Sequence, residues 1–308
     1  MNNSVKILGL VALIMVSSLL IFGTKTGAFE VNIQDADNEK NTSETYQIKA
    51  LKIPSNLEFA GEPVPVHKAD IKERIDRELL VNTYWQSNGL LLFKRSHKYF
   101  PIIEPILEKN GVPDDFKYLA VIESGLQNVT SPVGAKGFWQ IMKGTGKENG
   151  LEINANVDER YHLEKATQVA CDYLKIAKER FGSWTMAAAA YNAGNASIAR
   201  KINTQKVDDY YDLLLGDETK RYVPRMVAVK EILNNPNKYG FIFEKEDLYN
   251  LEATKLIKVD TVISDIARFS KDFGINYKVL KMYNPWLREN KLNNKSRKLY
   301  YLKIPAEI

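Results

Sequence analysis

A mainly α chain that ends in a small α+β module is what the sequence predicts, on three observations. Apolar residues recur at helical spacing from Ala69 to about Tyr239. No convincing strand-like alternation interrupts them between residues 100 and 239. Beyond residue 241 the pattern changes, and two short apolar runs, Lys255–Val259 and Tyr300–Ile304, bracket two helical stretches. The 308 residues, 44% hydrophobic and 26% charged, suffice for one large globular body or two smaller ones.

The chain starts differently. Lys6 precedes Ile7–Phe22, an apolar run with only Ser17 and Ser18 as polar side chains. Residues 1–28 therefore read as a signal peptide or an uncleaved N-terminal anchor, with small residues near Thr26-Gly27-Ala28 as a cleavage site. No cysteine follows the run, which argues against a lipid anchor. Residues 29–68 are polar at first and then carry Pro54, Pro63 and Pro65, the composition of a linker or extended arm.

From Ala69, the positions of Ile71, Ile75, Leu79 and Leu80 predict a helix continuing through Trp85 to Leu92. A second amphipathic stretch, Phe100–Leu107, stops at Asn110-Gly111. Pro113, with Asp114 and Asp115 after it, opens the next helix; the two acids suit the dipole at a helix start. Lys143–Val157 reads as a loop broken by Gly144, Gly146 and Gly150. Helices follow over Ala166–Phe181, Trp184–Tyr191, Ala196–Ile202 and Val223–Leu233, with Pro224 placed in the first turn of the last. In the tail, Ile263–Phe273 and Tyr277–Tyr283 read as helices.

One position breaks the apolar pattern. Phe116, Leu119 and Ala120 share a helix face, and the next position on it, seven residues after Phe116, is Glu123. A carboxylate on an apolar face is costly to ionise, so its pKa rises, as a general acid working near neutrality requires. The bland alternative is a half-buried structural carboxylate in an ion pair. Downstream, Ser131-Pro132-Val133-Gly134-Ala135-Lys136-Gly137 is turn-rich and leads into Phe138-Trp139-Gln140. Such a segment can wrap a saccharide-sized cleft.

Glu123-Ser124, Gly137-Phe138-Trp139-Gln140, Ala190-Tyr191-Asn192-Ala193-Gly194, and Glu218-Thr219 with Tyr222-Val223 stand in an order that resembles the soluble-lytic-transglycosylase domain. The resemblance covers roughly residues 100–239, and its closest flavour is the membrane-bound lytic murein transglycosylases. It implies a lysozyme-like catalytic domain that cleaves the MurNAc–GlcNAc β-1,4 bond of peptidoglycan. Glu123 would protonate the glycosidic oxygen, then take a proton from the muramoyl 6-hydroxyl as that oxygen closes on C1 to leave a 1,6-anhydro end. The substrate's own acetamido group would shelter the positive charge, which fits the neutral side chains of Gln140, Asn192 and Tyr222 in the motifs. The resemblance makes Glu123 and Tyr222 catalytic and lines the sugar cleft with Ser131, Gln140, Met142, Tyr191 and Asn192.

The plainer alternatives are a loop-bracing role for Gln140, a turn role for Tyr191 and Asn192, and an aromatic core role for Tyr222. Phe138 and Trp139 stand between core and sugar platform and are bulkier than the family's commoner Leu-Met. Ser124 reads as a supporting residue, since no Ser-His-Asp arrangement is visible. Asp158 and Glu159 read as structural.

The β-α-α-β order of the tail resembles a LysM peptidoglycan-binding module, with its usual opening kept only as Val259-Asp260-Thr261. The expected division is thus a helical domain over 69–240 and a LysM-like module over 241–308. His67, His97, His162 and the single Cys171 form no metal-ligand spacing, so neither metal nor cofactor is expected. Cys171, inside a helical pattern, reads as a small buried hydrophobe. The net charge of +5, or +3 without residues 1–28, suits an anionic cell wall. No basic stretch interleaved with aromatics points to nucleic acid. Export to the periplasm or cell envelope, with a possible membrane tether through residues 7–22, completes the expectation. Two other functions share these features: a catalytically silent peptidoglycan-binding protein, and a hydrolysing muramidase on the same fold.

Overall fold

The computed structural model describes residues 48–307, all within one compact unit. The signal or anchor assigned to residues 1–28 lies outside them. Among the described residues no helix is long and apolar enough to cross a membrane.

Ten helices and two short two-stranded sheets are described. α1 (Ala69–Tyr84) buries Ile71, Ile75 and Leu79, as the spacing predicts. It stops at Trp85, whose non-helical backbone (φ -90°, ψ 61°) breaks the expected continuous helix, and α2 (Gln86–Lys109) begins at the next residue. α2 runs through Pro101 and Pro105, so the predicted Phe100 start is only its middle. A 3₁₀ turn over Asp114–Phe116 leads into the short α3 (Lys117–Ser124). α4 (Lys143–Glu148) occupies part of the expected Lys143–Val157 loop. Next come α5 (Leu163–Phe181), α6 (Trp184–Ala193), α7 (Asn195–Gln205) and α8 (Asp217–Asn234).

α6 is the centre of the body. Its stretch from Thr185 to Ala190 is buried on every side, and the alanines let α5 and α8 approach closely. α8 packs on α1, α3 and α6. It begins six residues before the predicted start, so Pro224 sits in its interior and not in its first turn.

The expected extended arm is partly wrong. Residues 57–64 fold onto the body as a small hairpin, β1 (Glu58–Phe59) with β2 (Glu62–Pro63). Phe59 is fully buried and meets Phe116 edge-on at 5.2 Å. The Glu62 carboxylate accepts from the backbone N–H groups of Trp184 (2.5 Å) and Thr185 (2.9 Å), capping α6 from outside. Lys230 of α8 binds both Asp115 (2.7 Å) and Glu58. The sequence hid this closure because its apolar anchors, Leu57, Phe59 and Val64, are few and lie among prolines and acids.

The boundary at 241 also moves. Phe241 and Phe243 pack on Phe93 of α2 at 5.0 and 4.9 Å, so this strap belongs to the helical body. The tail module begins with β3 (Thr254–Val259), which pairs antiparallel with β4 (Tyr300–Pro305), Val259 opposite Tyr300. α9 (Ile266–Lys271) and α10 (Tyr277–Tyr283) form the rest of the module, and α10 packs on β4. Buried Asn284 stitches them: its amide donates to Lys303 O (2.7 Å) and its Oδ1 accepts from Lys303 N (2.8 Å). Val157 and Tyr161 of the body sit inside the module's own apolar core, beside Trp286, Leu287 and Tyr300. The two expected domains are therefore clasped together through residues 152–164.

Candidate active site

The site is built where α3 meets α8. α3 ends immediately after Glu123-Ser124 because Gly125 adopts φ +59° and donates its N–H to Val121 O at 2.8 Å, a left-handed cap. Glu123 lies in the last turn, on the face whose earlier members Phe116, Leu119 and Ala120 are buried. From α8 the fully buried Tyr222 donates its hydroxyl to Glu123 Oε1.

Burial pushes the Glu123 carboxyl above its ordinary range, and the nearby negative charge of Glu218 pushes the same way; the Tyr222 hydrogen bond and Arg225 oppose them. Burial, reinforced by the Glu123 charge, likewise holds the phenols of Tyr222 and Tyr191 protonated, far above their normal range. The centre is thus one reluctant acid beside two neutral phenols.

The other expected site residues come from the loop over 128–142 and from α6. Tyr191 donates to the backbone carbonyl of Trp139 at 2.7 Å, joining α6 to that loop. Asn192 lies within α6, not in a turn, and its Oδ1 accepts from Thr219 of α8 at 2.8 Å. Gln140 donates its amide to Gly137 O at 2.8 Å and Val129 O at 3.3 Å, so it braces its own loop with Nε2. Its Oε1 remains available as an acceptor. Gln140 also holds φ +46°, a left-handed backbone that a residue with a side chain adopts at a cost of about 1–3 kcal/mol. Ser131 Oγ accepts from Ala135 N at 3.0 Å, and Met142 is 44% exposed at the loop's far end.

The structure therefore joins Glu123 to Tyr222 directly, brings Tyr191 within their electrostatic reach, and ties Asn192 to the same helix as Tyr222. Ser131, Gln140 and Met142 are joined to one another by the loop and have no described contact with Glu123.

Phe138 and Trp139 are core residues. Both are buried, and Trp139 Nε1 donates to Thr167 Oγ1 of α5 at 2.8 Å. Ser124 is buried and supporting: its hydroxyl reaches Phe138 O (2.8 Å) and Ala120 O (3.0 Å) and fastens the loop to α3. Asp158 and Glu159 are structural as expected, but Arg160 beside them was missed. Arg160 is buried, grips Asp158 with Nε (2.9 Å) and NH2 (2.8 Å), and donates NH1 to Gly134 O (3.1 Å) and Ile141 O (3.3 Å). It holds both ends of the segment that presents Gln140. The module in turn holds residues 156–161: Asp158 N donates to Trp286 O (2.9 Å), Arg288 N to Asn156 O (2.9 Å), and His162 stacks on Trp286.

Two charged residues beside the acid were also missed. Glu218, Tyr222 and Arg225 stand at i, i+4 and i+7 of α8 and so share a face. Arg225 pairs with Glu218 at 3.2 Å and approaches the buried Glu78 of α1 at 3.7 Å; Arg221 binds Glu78 at 2.7 Å. The spacing was present in the sequence, but starting the helix at Val223 concealed it.

No group of three or more His, Cys, Asp or Glu among the described residues is arranged to hold a metal ion. Cys171 is buried, and burial pushes its thiol up to about 12, as befits an inert core residue.

Comparison with known proteins finds two domain matches. Residues 100–214 match the Transglycosylase SLT domain, and residues 255–308 match the Soluble lytic transglycosylase C-terminal LysM-like domain. Over 205 residues the chain is 30% identical to the membrane-bound lytic murein transglycosylase D of Escherichia coli K12, covering 64% of this chain and 44% of that protein. The same protein from E. coli O6:H1 gives the same figures, so the chain spans less than half the length of these relatives. Among solved structures, the 70 kDa soluble lytic transglycosylase SLT70 from E. coli is similar at TM-score 0.39 and 23% identity, over 46% of this chain and 25% of that one. An inactive mutant of the lytic transglycosylase Slt from Pseudomonas aeruginosa gives TM-score 0.36 and 19% identity, over 50% and 27%. Both structural likenesses are too partial to add to the reading of the site. The sequence matches thus show a transglycosylase SLT domain followed by a soluble-lytic-transglycosylase LysM-like domain, in a chain homologous over 205 residues to membrane-bound lytic murein transglycosylase D.

Proposed function

We propose that this chain is a lytic transglycosylase of the bacterial cell envelope, cleaving the MurNAc–GlcNAc bond of peptidoglycan with Glu123 as acid and then base. The observation that carries the reading is Glu123 itself, a carboxyl whose proton affinity is raised by burial and whose described hydrogen-bond partner is a neutral phenol. A structural carboxylate of the kind seen at Glu78 is instead surrounded by arginines.

In the first step the Glu123 proton passes to the glycosidic oxygen as the C1–O bond breaks, leaving the carboxylate. In the second the carboxylate removes the muramoyl 6-hydroxyl proton, and that oxygen bonds to C1. Protons balance and water is not consumed. Tyr222 orients the carboxyl and stabilises its charged form between the steps. Gln140 Oε1, Asn192 and Tyr191 supply the polar lining, with Ser131 and Met142 at the loop's ends. Residues 7–22 would tether or export the protein.

The hydrolysing alternative has one observation in its favour, Glu218, a second carboxylate close enough to raise the Glu123 pKa. Its pairing with Arg225 and its 60% exposed side chain fit a solvated ion pair better than a buried base. Mass spectrometry decides the matter. Residues 29–308 acting on purified sacculi should release muropeptides that end in 1,6-anhydro-muramic acid, and Glu123→Gln should release none. Loss of the acid typically costs ~10²–10⁴-fold. Reducing ends would mean hydrolysis and direct attention to Glu218. A Glu123→Gln variant within about threefold of wild type would remove Glu123 from the mechanism.

A further inference from the structure

The mild positive charge of the chain is not spread over it. Between residues 48 and 254 there are 28 Lys and Arg and 28 Asp and Glu, so the helical body is neutral. Residues 255–308 carry twelve Lys and Arg against five Asp and Glu, a net +7 on a module of 54 residues.

Little of this charge is used internally. Among the described residues, carboxylates pair with only Arg297, Lys298 and Lys303 of the twelve. Lys281 is spent on the backbone carbonyls of Leu287 and Glu289, and Arg288 on Pro285 O and the Tyr161 ring. Lys258, Arg268, Lys271, Lys278, Lys291 and Lys295 are exposed and have no described carboxylate partner. They lie on β3, on α9, on α10 and in the loop before β4. Cations distributed over strand, helices and loop make a field, not a pocket.

We propose that the module is a cationic grip for a carboxylate-bearing polymer, the peptide stems of peptidoglycan, and that it holds the substrate by charge, independently of sugar recognition. The substrate identity rests on the function proposed above. Several exposed charges spaced around a small module suit a flexible polyanion, which satisfies them in many registers and releases counterions as it binds. A compact monovalent ligand has no converging donors here to bind. The field is attached to a neutral body, so it raises the local concentration of an anionic strand beside the site without burdening the body with its own self-repulsion. The same module clasps residues 156–161, among which Arg160 holds the loop that carries Gln140, so binding the wall and orienting that loop are joined through one piece of structure.

The test uses residues 29–308, which retain the whole compact unit, and co-sedimentation with three solids: purified sacculi, chitin as a neutral N-acetylglucosamine polymer, and phosphatidylglycerol vesicles. Catalytically disabled Glu123→Gln protein keeps the sacculi intact. Sacculus affinity should fall about tenfold or more between 50 and 300 mM NaCl, as counterion release demands for several contacts. The combined substitutions Lys258→Glu, Lys271→Glu, Lys278→Glu and Lys295→Glu should cause a loss of similar size at low salt. The milder fourfold Lys→Gln version should fall between this variant and wild type. Chitin binding should be weak and indifferent to both changes.

Salt-indifferent sacculus binding, or equal binding to chitin, would overturn the proposal in favour of neutral glycan recognition. Tighter binding to the vesicles than to sacculi would overturn it in favour of a membrane surface. Cleavage of a soluble glycan fragment without peptide stems, in the active background, separates the two readings. A charge-reversed enzyme that cuts the fragment normally yet binds sacculi as wild type does would sink only the grip. An inactive wild type would sink the transglycosylase reading itself.

Discussion

Glu123 and Gln140, both expected to face the substrate, are held in opposite ways. Glu123 stands on a seam of two packed helices, where α3 and α8 satisfy their own backbones and burial is the largest influence on the acid's proton affinity. Gln140 stands on a loop whose regular pairing amounts to isolated bridges, Thr130 with Lys136 and Lys136 with Ile141. That loop is held from outside, by Ser124, Tyr191 and Arg160, and behind Arg160 by the C-terminal module. The proposed acid rests on local helix physics, whereas the proposed cleft wall rests on contacts between residues far apart in sequence. The two should therefore fail separately.

The sharpest break is Arg160→Met. It removes the donors to Gly134 and Ile141 and leaves Asp158 buried without its main counter-charge, a loss of about 3–5 kcal/mol. Urea unfolding should show this, and Arg160→Met with Asp158→Asn should recover part of it, because the orphaned charge is gone. Recovery of nothing would mean that the carbonyl contacts, not the ion pair, carry the clasp. Hydrogen exchange should quicken over 128–141 in Arg160→Met while α3 stays protected. Equal quickening in both would erase the distinction between seam and loop.

Gly137→Ala attacks the same loop from within. Gly137 holds φ +80°, and a methyl there would lie 2.1 Å from the Arg160 carbonyl oxygen, a backbone atom that cannot swing away. The expected cost is about 2–4 kcal/mol, with turnover falling although Glu123 and Tyr222 are untouched. Wild-type turnover would show that the loop does not wall the cleft.

How much of this was legible in the sequence follows the same division. Glu123 could be found because an acid on an apolar face is a local anomaly, and its partner Tyr222 because it stands in a short ordered motif. Arg160 and the hairpin at 57–64 could not, since an arginine in a polar loop and a phenylalanine among prolines acquire meaning only when distant segments close on them. Glu218 and Arg225 are an intermediate case. Their helical spacing to Tyr222 was visible, but Pro224 invited the reading of a first turn and moved the helix start past Glu218 and Tyr222, leaving Arg225 inside it. Local pattern reveals what local physics holds.

Tyr222→Phe tests the seam itself. The lost hydroxyl is one of the influences that lower the Glu123 pKa, so its removal should raise that pKa further. In the proposed mechanism activity needs the protonated acid, so the descending limb of the pH–rate profile should move to higher pH. Turnover should fall about tenfold, the scale of one hydrogen bond to a charged group. Reduced turnover with an unmoved limb would make Tyr222 a packing residue only.

The smallest effect separates the regions most cleanly, because it should have the opposite sign. Between the ordinary carboxyl value of 4.5 and the raised native value, folded protein keeps a proton on Glu123 that the unfolded chain has released. Stability is therefore lost as pH rises through that window, at no more than about 1.4 kcal/mol per pH unit for one proton. Glu123→Gln does not titrate and still accepts the Tyr222 hydrogen bond through its amide oxygen. Wild type and variant should unfold alike at pH 4, and the variant should become the more stable as pH rises above 4.5. The substitution that ends turnover would thus strengthen the seam, whereas substitutions at Arg160 or Gly137 weaken the loop. A Glu123→Gln protein that loses stability relative to wild type as pH rises would mean that the carboxylate is well solvated or paired in the folded state, and the general-acid assignment would lose its physical basis.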